Sequence, residues 1–154
     1  MPGEVDKAIS KINKLDKLSQ GEKDYFIALI REIENNPNAV RMKETMAVVR
    51  EATNLNRSKK EKTEATAITE EDRKAANQRL EKLIYLSPEA REKFKKRMEA
   101  VGDKAGLDYL LSQATAENDK NNEYAKVEKV TDSKTVDDLI NRYKRKLYLS
   151  LIHI

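Results

Sequence analysis

Apolar residues recur at spacings of three and four along most of the chain, which is the pattern of helices that bury one face. This pattern predicts three helices before residue 57, three between residues 68 and 118, and one after residue 133. The predicted inward positions in the first three helices are Val5, Ala8, Ile9, Ile12, Leu15, Tyr25, Phe26, Leu29, Ile30, Ile33, Met42, Met46, Val49, Ala52 and Leu55. In the next three they are Ala76, Leu80, Leu83, Ile84, Ala90, Phe94, Met98, Val101, Leu107, Leu110, Leu111 and Ala114.

Leu-Ser corners mark two of the predicted helix starts. Ser19 and Glu22 have the spacing of a capping box, in which each side chain bonds the backbone N–H of the other residue. Ser87 is followed by Pro88, a residue that suits the first position of a helix. Thr69 precedes three acidic residues and predicts a third capped start.

These corners belong to an internal repeat. At an offset of 68, Ser19 and Phe26 fall on Ser87 and Phe94, and at an offset of 62, Asn56 falls on Asn118. The offset changes near the Asn-Pro corner at residues 36–37, where a loop tolerates insertion. Any two amphipathic helices can be aligned by chance, but here the corners and the phenylalanines agree as well. We therefore favour a true repeat of three-helix bundles.

We predict an all-α chain of tandem small three-helix bundles joined by charged spacers, with the first helix of an incomplete third unit. The predicted divisions are bundles at 4–57 and 68–118, spacers at 58–67 and 119–132, a helix at 133–148, and a non-native tail at 149–154.

The tail reads LSLIHI and resembles the translation of a transposon-end adapter from sequencing libraries. The alternative is a native apolar tail. It contains the only histidine, His153, to which we assign no role. If the tail is adapter sequence, we expect the natural protein to continue beyond it.

Composition excludes several kinds of chemistry. The chain has no cysteine, which rules out disulfides and thiolate catalysis, and its net charge of +4 arises from finely mixed acids and bases. No segment approaches the ~18 apolar residues of a membrane helix, so we expect no membrane insertion. Glu70, Glu71 and Asp72 are better explained as acids in the first turn of a helix than as a catalytic set. We predict no enzyme activity, no catalytic or metal-binding residues, and no cofactor.

Two basic clusters surround aromatic residues. The first consists of Lys93, Lys95, Lys96 and Arg97 beside Phe94. The second consists of Arg142, Lys144, Arg145 and Lys146 beside Tyr143. A solvated helix face with a buried aromatic is the favoured interpretation of both. We take the first cluster as the candidate partner-binding site, and we do not expect nucleic-acid binding because acids interleave the clusters.

The repeated residues resemble the three-helix GA and FIVAR modules of large bacterial surface proteins. In the first copy they are Leu15, Leu18, Ser19, Lys23, Phe26, Ile30, Ala52, Leu55 and Asn56. In the second copy they are Leu83, Leu86, Ser87, Arg91, Phe94, Met98, Ala114 and Asn118. The resemblance implies tandem modules that bind host proteins, serum albumin among them for some GA modules.

Two functions are therefore open at this point. The first is a non-enzymatic binding or spacer array from a larger bacterial surface or secreted protein, with a protein partner of unknown identity. The alternative is an intracellular nucleic-acid-binding or phage-borne regulatory helical protein, suggested by the mildly basic balance and the lack of a signal-peptide pattern at the amino terminus.

Overall fold

A computed structural model describes the backbone of residues 3–128 and 133–152. Within these ranges the chain forms seven α-helices and no strand beyond a single bridge between Ala67 and Asp103. The helices are α1 (Glu4–Asn13), α2 (Gln20–Glu34), α3 (Arg41–Ser58), α4 (Glu70–Lys82), α5 (Pro88–Ala100), α6 (Lys104–Glu128) and α7 (Ser133–Ile152). The prediction of an all-α fold is confirmed.

The predicted capping residues start three of these helices. The Ser19 hydroxyl accepts the Glu22 N–H at 3.1 Å, and the Glu22 carboxylate accepts the Ser19 N–H at 2.9 Å. Thr69 and Asp72 form the same reciprocal pair at α4, and these bonds from Thr69 lower the pKa of the Asp72 carboxyl. At α5, Ser87 accepts the N–H of the third helical residue. Local sequence therefore sets where these three helices begin.

The first three helices form unit 1 and the next three form unit 2. One long-range hydrogen bond is common to both units: the Lys17 N–H donates to Asn56 Oδ1 at 2.8 Å, and the Tyr85 N–H donates to Asn118 Oδ1 at 2.8 Å. The two donors are related by the predicted offset of 68 and the two acceptors by that of 62. The matching bonds support the predicted register of the repeat.

The two units share one hydrophobic core. Helix α2 packs against α1 and α3 of its own unit and against α5 and α6 of unit 2. Its residues Phe26 and Ile30 are fully buried, as are Leu80 and Leu110 of unit 2. Because α2 contacts four helices, it is the central element of the fold.

Two predicted core positions of α3 are wrong. Met42 and Met46 are 55% and 57% exposed. The buried face of α3 is formed by Thr45 and Val48 together with the predicted Ala52, because a threonine takes an inward position where the apolar pattern placed a methionine. This rotates both methionines towards solvent.

One predicted core position after α4 is also wrong. Ile84 is 74% exposed. It lies beyond Lys82, where α4 ends, so helical spacing no longer sets its direction.

The segment between the units is hydrogen-bonded to both. The Thr63 N–H donates to the carbonyl of Lys17 at 3.0 Å, and the Lys104 N–H donates to the carbonyl of Thr66 at 2.7 Å. Lys59 forms a 2.8 Å ion pair with the buried Glu22. Residues 58–67 thus follow the surface of both units.

Helix α6 continues to Glu128, into the stretch predicted as a second spacer. Residues 129–132 of that stretch lie outside the described residues, as do His153 and Ile154 of the predicted tail. Within the described ranges α7 packs against none of the other helices, and its residues Leu139, Ile140 and Leu147 are about half exposed. No described helix is both long and apolar enough to cross a bilayer.

Candidate protein-binding surfaces

The predicted basic site on α5 does not form a single surface. Phe94 is buried, as the favoured interpretation of this cluster requires, but Tyr143 of the second cluster is 69% exposed, so the prediction of a buried aromatic is wrong there. Lys95 lies 2.7 Å from the Glu81 carboxylate, and this hydrogen bond raises the pKa of Lys95 and lowers that of Glu81. Lys93 and Lys96 are exposed and form no ion pair among the described residues. Arg97 is also paired with a carboxylate. Of the four predicted residues, Lys93 and Lys96 are therefore the open cations, that is, the exposed ones without an ion pair among the described residues.

Arg97 connects the two units. Its guanidinium donates two hydrogen bonds to the Glu32 carboxylate on α2, at 2.7 and 2.9 Å. It also lies 4.9 Å from the ring centroid of Phe94 and 6.0 Å from that of Tyr25. Burial lowers the pKa of Arg97. The hydrogen bond to Glu32 and the neighbouring Tyr25 together raise this pKa by more than burial lowers it, so the net shift is upward. Arg97 is a structural contact rather than an open cation.

Three aromatic rings meet where α2 faces α6. The ring centroids of Tyr25 and Tyr109 are 5.4 Å apart, and those of Phe26 and Tyr109 are 5.2 Å apart. Burial raises the pKa of Tyr25 to about 12 and also raises that of Tyr109, whose hydroxyl lies 3.4 Å from a Glu51 oxygen. The Tyr25 and Tyr109 rings meet edge to face, at 78°, which is a favourable geometry, so this cluster stabilises the contact between the units.

A buried carboxylate completes the contact. Asp103 caps α6 by accepting the Gly106 N–H at 2.9 Å, and it also accepts the Gly21 N–H at 2.7 Å and the Ser19 hydroxyl at 3.0 Å. A Cβ added to Gly21 would overlap this carboxylate, and one added to Gly106 would overlap the backbone of Gly21. The two glycines let α2 and α6 approach this closely.

These contacts are not repeated within the chain. At the positions equivalent to Gly21, Tyr25, Glu32, Gly106 and Tyr109, the other unit has Glu89, Lys93, Ala100, Glu44 and Ala47. The interface therefore joins two non-equivalent faces: unit 1 contributes one face and unit 2 contributes a different one. The sequence pattern did not indicate Asp103 as a contact residue, although an aspartate directly before a helix is a preferred N-cap residue and could have indicated the cap.

Two clefts flank the Arg97–Glu32 pair. One has a volume of about 330 Å³ and lies between α2 and α5, with Ile27 and Lys96 in its lining. The other, of about 470 Å³, lies at the corner between α2 and α3 and has Lys93 at its edge. The two open lysines therefore border different clefts, and both clefts combine residues of the two units.

A third cleft, of about 360 Å³, lies between α1 and α3 and is lined mainly by apolar atoms. Met42 and Met46 contribute to it. Among the described residues no group of acids and histidines is arranged to hold a metal ion.

Two three-helix units that follow each other along the chain define a modular helical-bundle protein. The family model described as the GA module matches residues 4–58 and 70–120, and the chain belongs to this family. The tandem modules predicted from the repeat are thereby confirmed. No curated protein and no solved structure shows significant similarity to the chain.

Proposed function

We propose that this chain is a pair of non-enzymatic protein-binding modules from a larger bacterial surface or secreted protein, with a host protein as partner. The observation that carries the proposal is the double match to the GA module, a family of binding domains. No cofactor is required for such a role. Serum albumin is the first ligand to test, because the family suggests albumin-type binding.

We keep the division of the chain into bundles at 4–57 and 68–118, a spacer at 58–67 and the start of a third unit after residue 133. The positions of α1 to α6 and the two matched ranges support the bundles. Among the described residues α7 packs against no other helix, and its apolar residues Leu139, Ile140 and Leu147 are about half exposed, which supports a separate third unit.

We place the binding surface at the two clefts beside Arg97 and Glu32, with Lys93 and Lys96 as the contacting cations. Arg97 supports this surface through its ion pair with Glu32, and both residues line the two clefts, whereas Lys95 pairs with Glu81 and lines neither. Both clefts include residues from each unit, so a ligand there would contact the pair of modules together.

The ion pairs of the first basic cluster weaken the alternative of nucleic-acid binding. Phosphate binding depends on open cations, and carboxylates already neutralise Lys95 and Arg97. Only Lys93 and Lys96 of this first cluster would remain to contact a phosphate backbone.

Biolayer interferometry with the immobilised full chain tests the proposal. We expect saturable binding of serum albumin, and replacement of both Lys93 and Lys96 by Glu should weaken it about tenfold, or ~1.4 kcal/mol. Lys74→Glu changes an exposed lysine on α4 and serves as the matched control. Absence of saturable binding to albumin and to fractionated host plasma proteins would contradict the proposal.

A further inference from the structure

The cleft between α1 and α3 has an unusual apolar floor. Met42 and Met46 lie in its lining with Ala8 and Val49, and both methionines are more than half exposed. Exposed apolar side chains that cluster in this way mark interaction surfaces more often than isolated ones do.

The repeat shows that the fold does not require these methionines. The positions equivalent to Met42 and Met46 in unit 2 are Lys104 and Asp108, in the same register of α6. Unit 2 therefore forms the same three-helix arrangement with charged residues there. The apolar floor is specific to unit 1.

Thr45 gives a second, independent observation. It lines the cleft, it is only 3% exposed, and its hydroxyl oxygen has no hydrogen-bond partner among the described residues. The equivalent position in unit 2 is the buried Leu107. A buried hydroxyl without a partner destabilises a fold, so leucine would suit a purely structural position better. Three departures from unit 2 thus coincide at one cleft.

The charges at the edge indicate what the cleft would accept. Lys7, Lys11 and Arg50 line it together with a single acid, Glu4. None of the three basic residues forms an ion pair within the described part of the chain. An occupant with carboxylates on both sides of an apolar ridge would complement this edge.

We propose that the α1–α3 cleft binds an amphipathic helix of a protein partner, with apolar residues at positions i, i+3 or i+4, and i+7 and acidic residues beside them. This inference rests on the proposed protein-binding function and assigns it a second surface. Flexible methionines adapt to the ridge of a docked helix. The helix α7 of a second copy fits less well, because Arg142, Lys144, Arg145 and Lys146 make its flank basic.

Fluorescence anisotropy with the full chain and a labelled synthetic peptide provides the test. The probe is an amphipathic helix of about 20 residues, roughly 30 Å long, with leucines on one face and glutamates elsewhere. The comparison peptide has lysines in place of the glutamates. We expect saturable binding of the acidic peptide and at least about tenfold weaker binding of the basic one.

Substitutions taken from unit 2 identify the site. Replacing Met42 by Lys together with Met46 by Asp should weaken binding of the acidic peptide at least about tenfold. Thr45→Leu should weaken binding while raising the melting temperature, since it fills the cleft and removes the unpaired hydroxyl. Ile84→Asp is the matched control, because it also replaces an exposed apolar residue by an acid but lies in unit 2.

Equal binding of the two peptides would overturn the inference, as would full affinity in the methionine double variant. Peptide-independent self-association lost in that same variant would assign the cleft to a second copy and would also overturn it. The peptide result does not depend on albumin binding. Failure of the albumin experiment with success here would leave this surface standing and reject only the albumin-type ligand.

Discussion

The Asp103 carboxylate accepts the Gly21 backbone N–H at 2.7 Å, which ties the first turn of α2 to the cap of α6. The same carboxylate accepts hydrogen bonds from Ser19 and Gly106. A buried charge is tolerated only when its hydrogen-bonding capacity is used, and here donors from both units use it. The two units are therefore joined by a polar contact of defined geometry as well as by apolar packing.

The close approach of α2 and α6 predicts that Gly106 will not tolerate a side chain. In Gly106→Ala the new Cβ would overlap the backbone of Gly21, which cannot move away as a flexible side chain could. We expect a loss of about 2 kcal/mol or more in the free energy of unfolding, measured by urea denaturation. Gly102→Ala is the control, since nothing lies within 4 Å of its added Cβ. Equal stability of the two variants would show that the helices are not in contact.

The Arg97–Glu32 pair should contribute measurably to the contact between the units. A double-mutant cycle with both residues replaced by Ala should give a coupling energy of about 1 kcal/mol, held down by the partial exposure of Glu32. The control is the pair Arg31 and Glu34, which lies on the surface of α2 alone. Its coupling should not exceed ~0.5 kcal/mol. A coupling for Arg97 and Glu32 no greater than that of the control would mean that the interface salt bridge is not formed.

Alkaline pH should weaken the interface. Burial raises the pKa of Tyr25 from its ordinary value of 10.0 to about 12, so the folded state disfavours the phenolate more than the unfolded state does. This contribution to stability is complete below pH 10 and is lost as the pH rises towards 12. Tyrosine absorbance at high pH should therefore show late-ionising components, and Tyr25→Phe should remove one of them while the component from Tyr109 remains. An unchanged titration curve in that variant would place Tyr25 in solvent.

Features set by neighbouring residues could be predicted from the sequence. Ser19, Thr69 and Ser87 start their helices because capping depends only on the next three residues. The predicted register of the repeat agrees with the structure in that Phe26 and Phe94, which it makes equivalent, are both buried. The all-α fold follows from these local signals together with the helical spacing of apolar residues.

Features set by the packing of the two units could not be predicted. Glu32 and Arg97 are 65 residues apart, and Gly21 and Asp103 are 82 apart, so no local pattern pairs them. Met42 was misplaced for a related reason: a search for apolar spacing passes over Thr45, whose burial depends on the neighbouring helices. The candidate basic site was likewise divided by partners that lie on other elements.

The two GA modules pack against each other in a fixed arrangement, and a measured distance between them tests this arrangement most directly. The chain has no cysteine, so Ser10→Cys with Gln78→Cys introduces two spin labels, at exposed and repeat-equivalent positions of α1 and α4. Pulsed electron resonance should give a single narrow distance distribution. Gly21→Glu, which introduces the residue of unit 2 at that position, should broaden it, while Gly102→Glu should not. A broad distribution in the labelled chain without further substitution would contradict the account.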